Sequence, residues 1–291
     1  MITSSAEMRT RRAGLPLIFR VVAGGRRLLP QAGVTLMHRS LVARPLRRAL
    51  VGAAPAGVQA VEVCGGGLKG LTLHVDLSCE KYYWLGTHEE RVQKILARQV
   101  TTGFVVHDIG AHIGFFSLLC SQLTGETGRV FAFEPRAENA ERLKRNIDVN
   151  GVTNVDVVAA AVSDSTGKAS FVMHQSTLEG HLVVNGEASA SQVRTETIDG
   201  LVAAGMAPPD LMKIDVEGAE AAVIRGASRT IDRHRPLLLI EVHSAEAGRD
   251  VAAAMPCRYM FRDIETGTEL GELLTPGHYL ARPMTASERT L

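Results

Sequence analysis

A chain of 291 residues, 45% hydrophobic and 22% charged, has the make-up of an ordinary globular protein, long enough for one large α/β domain with an appendage or for two small domains. Four scattered cysteines, Cys64, Cys79, Cys120 and Cys257, form neither a C-x-x-C pair nor a zinc spacing, which argues against a disulfide framework or a zinc module and for reduced thiols in a cytoplasmic setting. The net charge of +1 hides two unlike parts: residues 1–50 carry ten arginines against the single acid Glu7, a balance of +9, which leaves −8 for the rest.

In chain order, residues 1–60 read as a basic N-terminal extension or cap, α-helical or irregular. Its apolar pieces "GLPLIF" and "VTLMH" fall short of the ~18 residues a membrane span needs. An Arg-rich, acid-poor leader also suits a transit peptide, a roof over a site, or a peripheral contact with an anionic membrane. Residues 61–103 read as a hairpin and helix leading into the core. The arm "LKGLTLHVDL" follows the cluster Gly65-Gly66-Gly67, and "HEERVQKILARQV" has helical spacing at Val92, Ile95 and Leu96. From residue 104 to 291 the rhythm is that of one α/β domain. "FVVHDIG" is a strand and "FFSLLCSQL" a helix; "RVFAFEP" is a strand and "RAENAERLKRNIDVNG" a helix ended by Gly151. "VDVVAAAVS" and "DLMKIDV" are strands, "GAEAAVIRGASRTIDRH" a helix, and "PLLLIEVH" a near-continuous apolar strand. Apolar runs without alternation mean strands buried on both faces, so the expectation is a doubly wound, mostly parallel sheet. Residues 168–197, rich in Ser and Gly, break the rhythm as an inserted hairpin or lid, and residues 258–283 read as a closing antiparallel pair.

The stretch "HDIGAHIG" lies where a first strand turns into a helix, beside the crevice in which open α/β sheets bind ligands. Gly110, Ala111 and Gly114 keep that turn small enough for a cofactor to approach the backbone. Asp108 argues against a pyrophosphate, which it would repel, and for a cofactor carrying an ammonium and a sulfonium, as S-adenosyl-L-methionine does. Glu134, ending the next strand, is placed to accept hydrogen bonds from both ribose hydroxyls. A lone glycine pattern says little. The acid-bearing turn followed by an acid-ended strand says more.

Together "VVHDIGAHIGFFSLL", "GRVFAFEPRAENAERLKRNIDVNG", "VVAAAVSDSTG", "DLMKIDVEGAEAAVIRGA" and "PLLLIEVH" resemble the FkbM-type S-adenosylmethionine-dependent methyltransferases over residues 80 to 283. The resemblance implies a class I methyltransferase (Rossmann-like) fold for residues 104–291 and O-methylation of a sugar, glycolipid or natural-product hydroxyl. His112 stands where that family more often has Asn or Thr. Asp108, Gly110, Ala111, His112, Gly114 and Glu134 are the expected cofactor set. Asp164 is either an adenine neighbour or a turn residue ahead of Gly167. Asp215, with Lys213 and Glu217, ends a central strand where acceptor and methyl group would meet, although Glu217 and Glu220 also suit the first turn of a helix.

Methyl transfer asks for alignment of the acceptor oxygen, and an alcohol gains from a base. His243 is the first candidate for that base and Asp215 the second, with His181 on the insertion able to close over the site. Asp215, Glu217, Glu241 and His243 are ligand types for a divalent metal, but their spacing is not that of a metal centre, and none is assigned. Two rival classes use the same sheet. A non-catalytic binding module keeps the fold without the chemistry. A nicotinamide-dependent oxidoreductase needs a tight G-x-G-x-x-G turn, which Ala111 and His112 interrupt. Nucleic acid is not an expected partner, because the basic front segment has few aromatics for base stacking.

Overall fold

The computed structural model describes residues 54–173, 180–183, 191–270 and 274–284. The arginine-rich residues 1–53, and with them most of the expected N-terminal extension, lie outside the described residues, as do parts of the 168–197 insertion. Two compact units divide the chain, one running to Gln93 and including Asp148–Gly151, the other comprising the remainder.

In the first unit, β1 (Val58–Glu62) and β2 (Thr72–Asp76) form an antiparallel hairpin with Ala60 opposite His74. Leu73 and Val75 are buried while their neighbours are half-exposed, the alternation that a strand with one wet face requires. Asn150 clamps the start of β2, its Oδ1 accepting from the Thr72 amide at 2.9 Å and its Nδ2 donating to the Thr72 carbonyl at 2.7 Å. Helix α1 (Lys81–Leu85) buries Trp84 and ends at Gly86, whose missing Cβ leaves room for the Gly65 carbonyl. Within the glycine cluster read in the sequence, Gly66 is needed for the same approach, since a Cβ there would meet the Gly86 carbonyl. Helix α2 (Glu90–Gln99) follows.

The second unit continues with β3 (Val105–Ile109), α3 (Phe115–Thr124), β4 (Arg129–Phe133), α4 (Ala137–Val149), β5 (Val155–Val158) and β6 (Ala161–Val162). Next come β7 (Gly167–Met173), β8 (Gly180–Val183), β9 (Ser191–Glu196), α5 (Ile198–Ala203) and β10 (Leu211–Ile214). The remaining elements are α6 (Glu220–Gly226), α7 (Ser228–His234), β11 (Leu237–Val242), α8 (Ala245–Ala254), β12 (Tyr259–Asp263), β13 (Glu269–Leu270) and β14 (Gly277–Pro283).

Eight strands form the main sheet in the order β13-β12-β14-β11-β10-β3-β4-β5. From β11 to β5 all pairings are parallel, whereas β14 runs antiparallel to both β11 and β12. This is the doubly wound, mostly parallel sheet with a closing antiparallel pair, in the strand order of the class I methyltransferase fold. One face presents Ile109, Phe133, Met212, Ile214 and Ile240 to Val223 and Ile224 of α6, Ile231 of α7 and Val251 of α8. The other face buries Val106, Val130, Ala132, Leu211 and Leu239, so the apolar runs follow from burial on both sides. The strand order changes direction between β3 and β10, which opens a crevice at their carboxyl ends.

Three segments differ in detail from their sequence reading. "VDVVAAAVS" is two strands: β5 belongs to the main sheet, and after Ala159 and Ala160 the chain passes to a second sheet of order β6-β9-β7-β8. The insertion therefore supplies three strands of a small sheet. "GAEAAVIRGASRTIDRH" is two helices broken at Ala227, beside Gly226, where a Cβ would collide with the Ser163 carbonyl. Among the described residues, no helix is long and apolar enough to cross a membrane.

Candidate cofactor and catalytic site

The turn after β3 is built by backbone contacts to the two flanking strand ends. The amides of Gly110 and Ala111 both donate to the Phe133 carbonyl, at 3.0 and 2.9 Å, which ties the turn to the end of β4. Gly110 has φ +85°, and a Cβ there would land on the Asp215 carbonyl oxygen, so the ends of β3 and β10 touch only because this residue is glycine. Gly114, at φ +89°, starts α3 over the side chain of Leu143. His112 lies between them at φ +50°, a left-handed conformation uncommon for a side-chain-bearing residue. Its amide donates to Glu134 Oε2 at 2.9 Å.

Glu134 is 5% exposed. Its Oε1 accepts from the Arg136 amide at 2.8 Å and Asn139 Nδ2 stands 3.5 Å away, so the carboxylate is fixed by backbone yet retains acceptor capacity on both oxygens. Burial pushes its pKa up to about 7, against the lowering pull of the Arg136 and His112 amides. A buried acid held near its titration point is suited to a ligand that brings hydroxyl donors.

Asp108 is wholly buried and accepts from Ser117 Oγ of α3 at 2.5 Å. Its strand-register neighbour on β10 is Lys213, on the same face of the sheet. Asp108 thus stands beneath the turn and holds α3, with no exposed oxygen. His107, pointing to the opposite face between Phe131 and Phe133, has its pKa lowered to about 4 by burial and belongs to the core. Cys120 is equally inert as a nucleophile, since burial and the nearby Asp108 charge push its thiol pKa up. Asp164 is remote in character: half-exposed, two residues beyond β6, it pairs with Arg225 at 3.2 Å.

Across the crevice, the turn after β10 gathers charge. Lys213 is 4% exposed, lies over the Phe116 ring at 5.0 Å and bonds Asp215 Oδ2 at 2.9 Å. Glu217, like His112, is a non-glycine residue with left-handed φ, at +53°. Such outliers at both turns of one crevice point to a site where geometry outweighs local comfort. His243, just after β11 and 24% exposed, lies 2.8 Å from Glu220 through Nδ1 and 3.1 Å from Glu217 through Nε2. Glu241 stands 3.8 Å and Asp215 3.9 Å from the same Nε2. Burial lowers the pKa of this imidazole, but the Glu220 bond and the charges of Glu217 and Glu241 outweigh it and raise the value to about 9. Asp215, Glu241 and His243 each bring a ligand-type atom to within 4.8 Å of the other two.

The structure therefore brings His243, Asp215, Glu217 and Lys213 together, and brings Glu134 and the Gly110–Gly114 turn together, at adjacent strand ends. Asp164 accepts from Ser163, Ser165 and Arg225, none of them in either group, and His181 lies on β8 with its side chain outside the described residues. Glu220 is the residue the sequence undersold. Three positions after Glu217 it reads as a helix first-turn acid; only the fold shows it wholly buried against His243.

Residues 108–269, more than half of the chain, match the methyltransferase FkbM domain family. Hexuronic acid methyltransferase AglP of Haloferax volcanii is 30% identical over 164 residues, a segment covering 56% of this chain and 66% of that relative. Among solved structures, a methyltransferase FkbM from Methylobacillus flagellatus aligns with 19% identity over 62% of this chain and 43% of its own, with a TM-score of 0.41. An SAM-dependent O-methyltransferase from Thermotoga maritima aligns with 13% identity over 68% and 66%, with a TM-score of 0.42.

Proposed function

Because this chain belongs to the methyltransferase FkbM domain family, we propose that it is an S-adenosyl-L-methionine-dependent O-methyltransferase whose acceptor is a hydroxyl of a sugar, glycolipid or natural product. The observation that carries the reading is the pairing of two half-sites at the carboxyl ends of four consecutive strands: a backbone-held acid, Glu134, beside the glycine turn at β4 and β3, and a histidine among acids, His243, at β10 and β11.

The residues present fit the cofactor. Glu134 would receive the ribose hydroxyls on its two oxygens, the Gly110–Gly114 turn would lie against the methionine end, and the buried Asp108 charge favours a ligand with an ammonium and a sulfonium. When bound, that cofactor supplies an electrophilic methyl group. The protein's own part is to align the acceptor oxygen and receive its proton. His243 is the proton acceptor, through Nε2, the nitrogen that faces Asp215, Glu217 and Glu241. Lys213 is held too tightly by Asp215 to act as a base; it offsets the negative charge of the pocket and fixes the Asp215 carboxylate. Asp164 is the weakest member of the cofactor set, given its exposed pairing with Arg225.

The name of the Haloferax relative supports a sugar acceptor. The acids around His243 favour a neutral hydroxyl over a carboxylate, which like charges would repel. Four free thiols suit a reducing, cytoplasmic compartment.

The test is titration calorimetry of S-adenosylmethionine and S-adenosylhomocysteine into the protein and into its Glu134→Ala variant, followed by methyl transfer to a panel of neutral methyl glycosides and their uronic acids. Binding weakened by about 1–3 kcal/mol in the variant, with turnover of a neutral glycoside, is the expected result. Binding without turnover of any acceptor favours the non-catalytic module. No binding by the folded protein removes the reading altogether.

A further inference from the structure

Two carboxylates compete for the protons of His243, and they are unequal. Glu220, on the first turn of α6, is wholly buried; its Oε1 accepts from the Gly218 amide at 2.8 Å and meets His243 Nδ1 at 2.8 Å. Glu217 meets Nε2 at 3.1 Å, and its side chain is 33% exposed. The other groups facing the ring are Glu241 of β11 and Asp215 after β10, the latter neutralised by Lys213, while His278 of β14 stands 3.3 Å from Glu241.

We propose that Glu220 is a positioning residue that retains the proton on His243 Nδ1, so that Nε2 is the nitrogen which gives up its proton and faces the acceptor. The proposal rests on the reading of His243 as the proton acceptor. A neutral imidazole has one donor and one acceptor nitrogen, and the partner of the first decides the role of the second. A buried carboxylate cannot trade the Nδ1 proton for water, and losing that bond would leave its charge uncompensated in the interior. Glu217, by contrast, is one-third exposed, so water is at hand to replace its bond to Nε2. Proton loss therefore occurs at Nε2. During transfer the acceptor O–H bond breaks as oxygen bonds to carbon; the proton goes to Nε2, and the resulting imidazolium keeps its Nδ1–H on Glu220. The electron pair of the breaking bond to the methyl group stays with the leaving sulfur.

Long-range proton–nitrogen NMR of the full chain labelled with 15N-histidine, without acceptor and in the presence of a chelator, reads this directly. The His243 nitrogens are followed from about pH 6 to pH 10. The neutral ring of the wild type is expected to carry its proton on Nδ1, and Glu217→Gln should keep that state. Glu220→Ala should shift the ring towards the Nε2–H form that an unconstrained imidazole favours, and Glu220→Gln, whose amide oxygen still accepts, should restore Nδ1–H. A wild-type ring protonated on Nε2 overturns the proposal, as does a folded Glu220→Ala protein with an unchanged tautomer. Should Glu220→Ala fail to fold, the wild type and Glu217→Gln spectra decide alone. The underlying reading fails separately: full turnover by His243→Asn would defeat the base role and leave the tautomer result standing.

Discussion

Glu134 makes a prediction that needs no acceptor. Its folded pKa of about 7 lies above the ordinary 4.5 because the carboxylate is buried. Between those two values the native state binds more protons than the unfolded chain, so stability is fully present at low pH and falls as pH rises through the window. A shift of that size corresponds to about 3 kcal/mol. Glu134→Gln removes the titration; its NH2 forfeits one of the two backbone hydrogen bonds, a cost that does not vary with pH and drops out of the comparison. Urea denaturation of both proteins without ligand, at about pH 4.5 and pH 8, gives the quantity of interest: the wild type should lose about 3 kcal/mol more than the variant across that interval. The comparison cancels other titrating groups, including His243, whose raised pKa also removes stability as pH rises towards 9. Saturating S-adenosylmethionine should narrow the gap at pH 8, since ribose hydroxyls solvate the ionised carboxylate. Parallel pH dependence of the two proteins would refute the claim that burial, rather than the backbone amides, dominates at this acid.

Methyl transfer should accelerate about tenfold per pH unit below 9, because the raised His243 pKa leaves only about 1% of the ring neutral at pH 7; a flat profile between pH 6 and 9 would count against this base. Glu217→Gln should move the rising limb to lower pH, as it removes one of the charges that raise that pKa. Gly110→Ala should destabilise the chain by about 2 kcal/mol or more, measured by thermal or urea unfolding, since the added methyl collides with the Asp215 carbonyl at a left-handed φ. Arg225→Ala should change stability by less than about 1 kcal/mol, as expected of an exposed pair with Asp164. Turnover should persist after exhaustive chelation, because Nε2 of His243 is reserved for the proton; stimulation by added Mn²⁺ would reassign Asp215, Glu241 and His243 to a cation.

The Glu134 half of the candidate site was legible because its geometry is local. Asp108, the Gly110–Gly114 turn and Glu134 occupy one strand, one turn and the next strand end, and the period of the apolar residues announces both strands. The catalytic half was legible only in its members. His243 and Glu220 are 23 residues apart, and no spacing rule links a helix first-turn acid to a histidine that follows another strand. The passage of the chain from one sheet to another at Ala159 and Ala160 escaped for a related reason: both strands are apolar, and the pattern carries no sign of which sheet each joins. The break at Ala227 depends on Gly226 meeting the Ser163 backbone, a contact across more than sixty positions of sequence.

The place of β14 imposes an order of assembly. It is inserted between β11, which precedes it by more than thirty residues, and β12, which also precedes it. During synthesis β12 and β13 emerge before the one strand that can attach them to the parallel sheet. Until β14 arrives, the edge of β11 is an unpaired row of amides and carbonyls, right beside the strand end that bears His243, and open to pairing with another nascent chain. The histidine's surroundings are thus complete only after β14 has joined β11. A chaperone or a low synthesis temperature should therefore raise the yield of correctly paired protein.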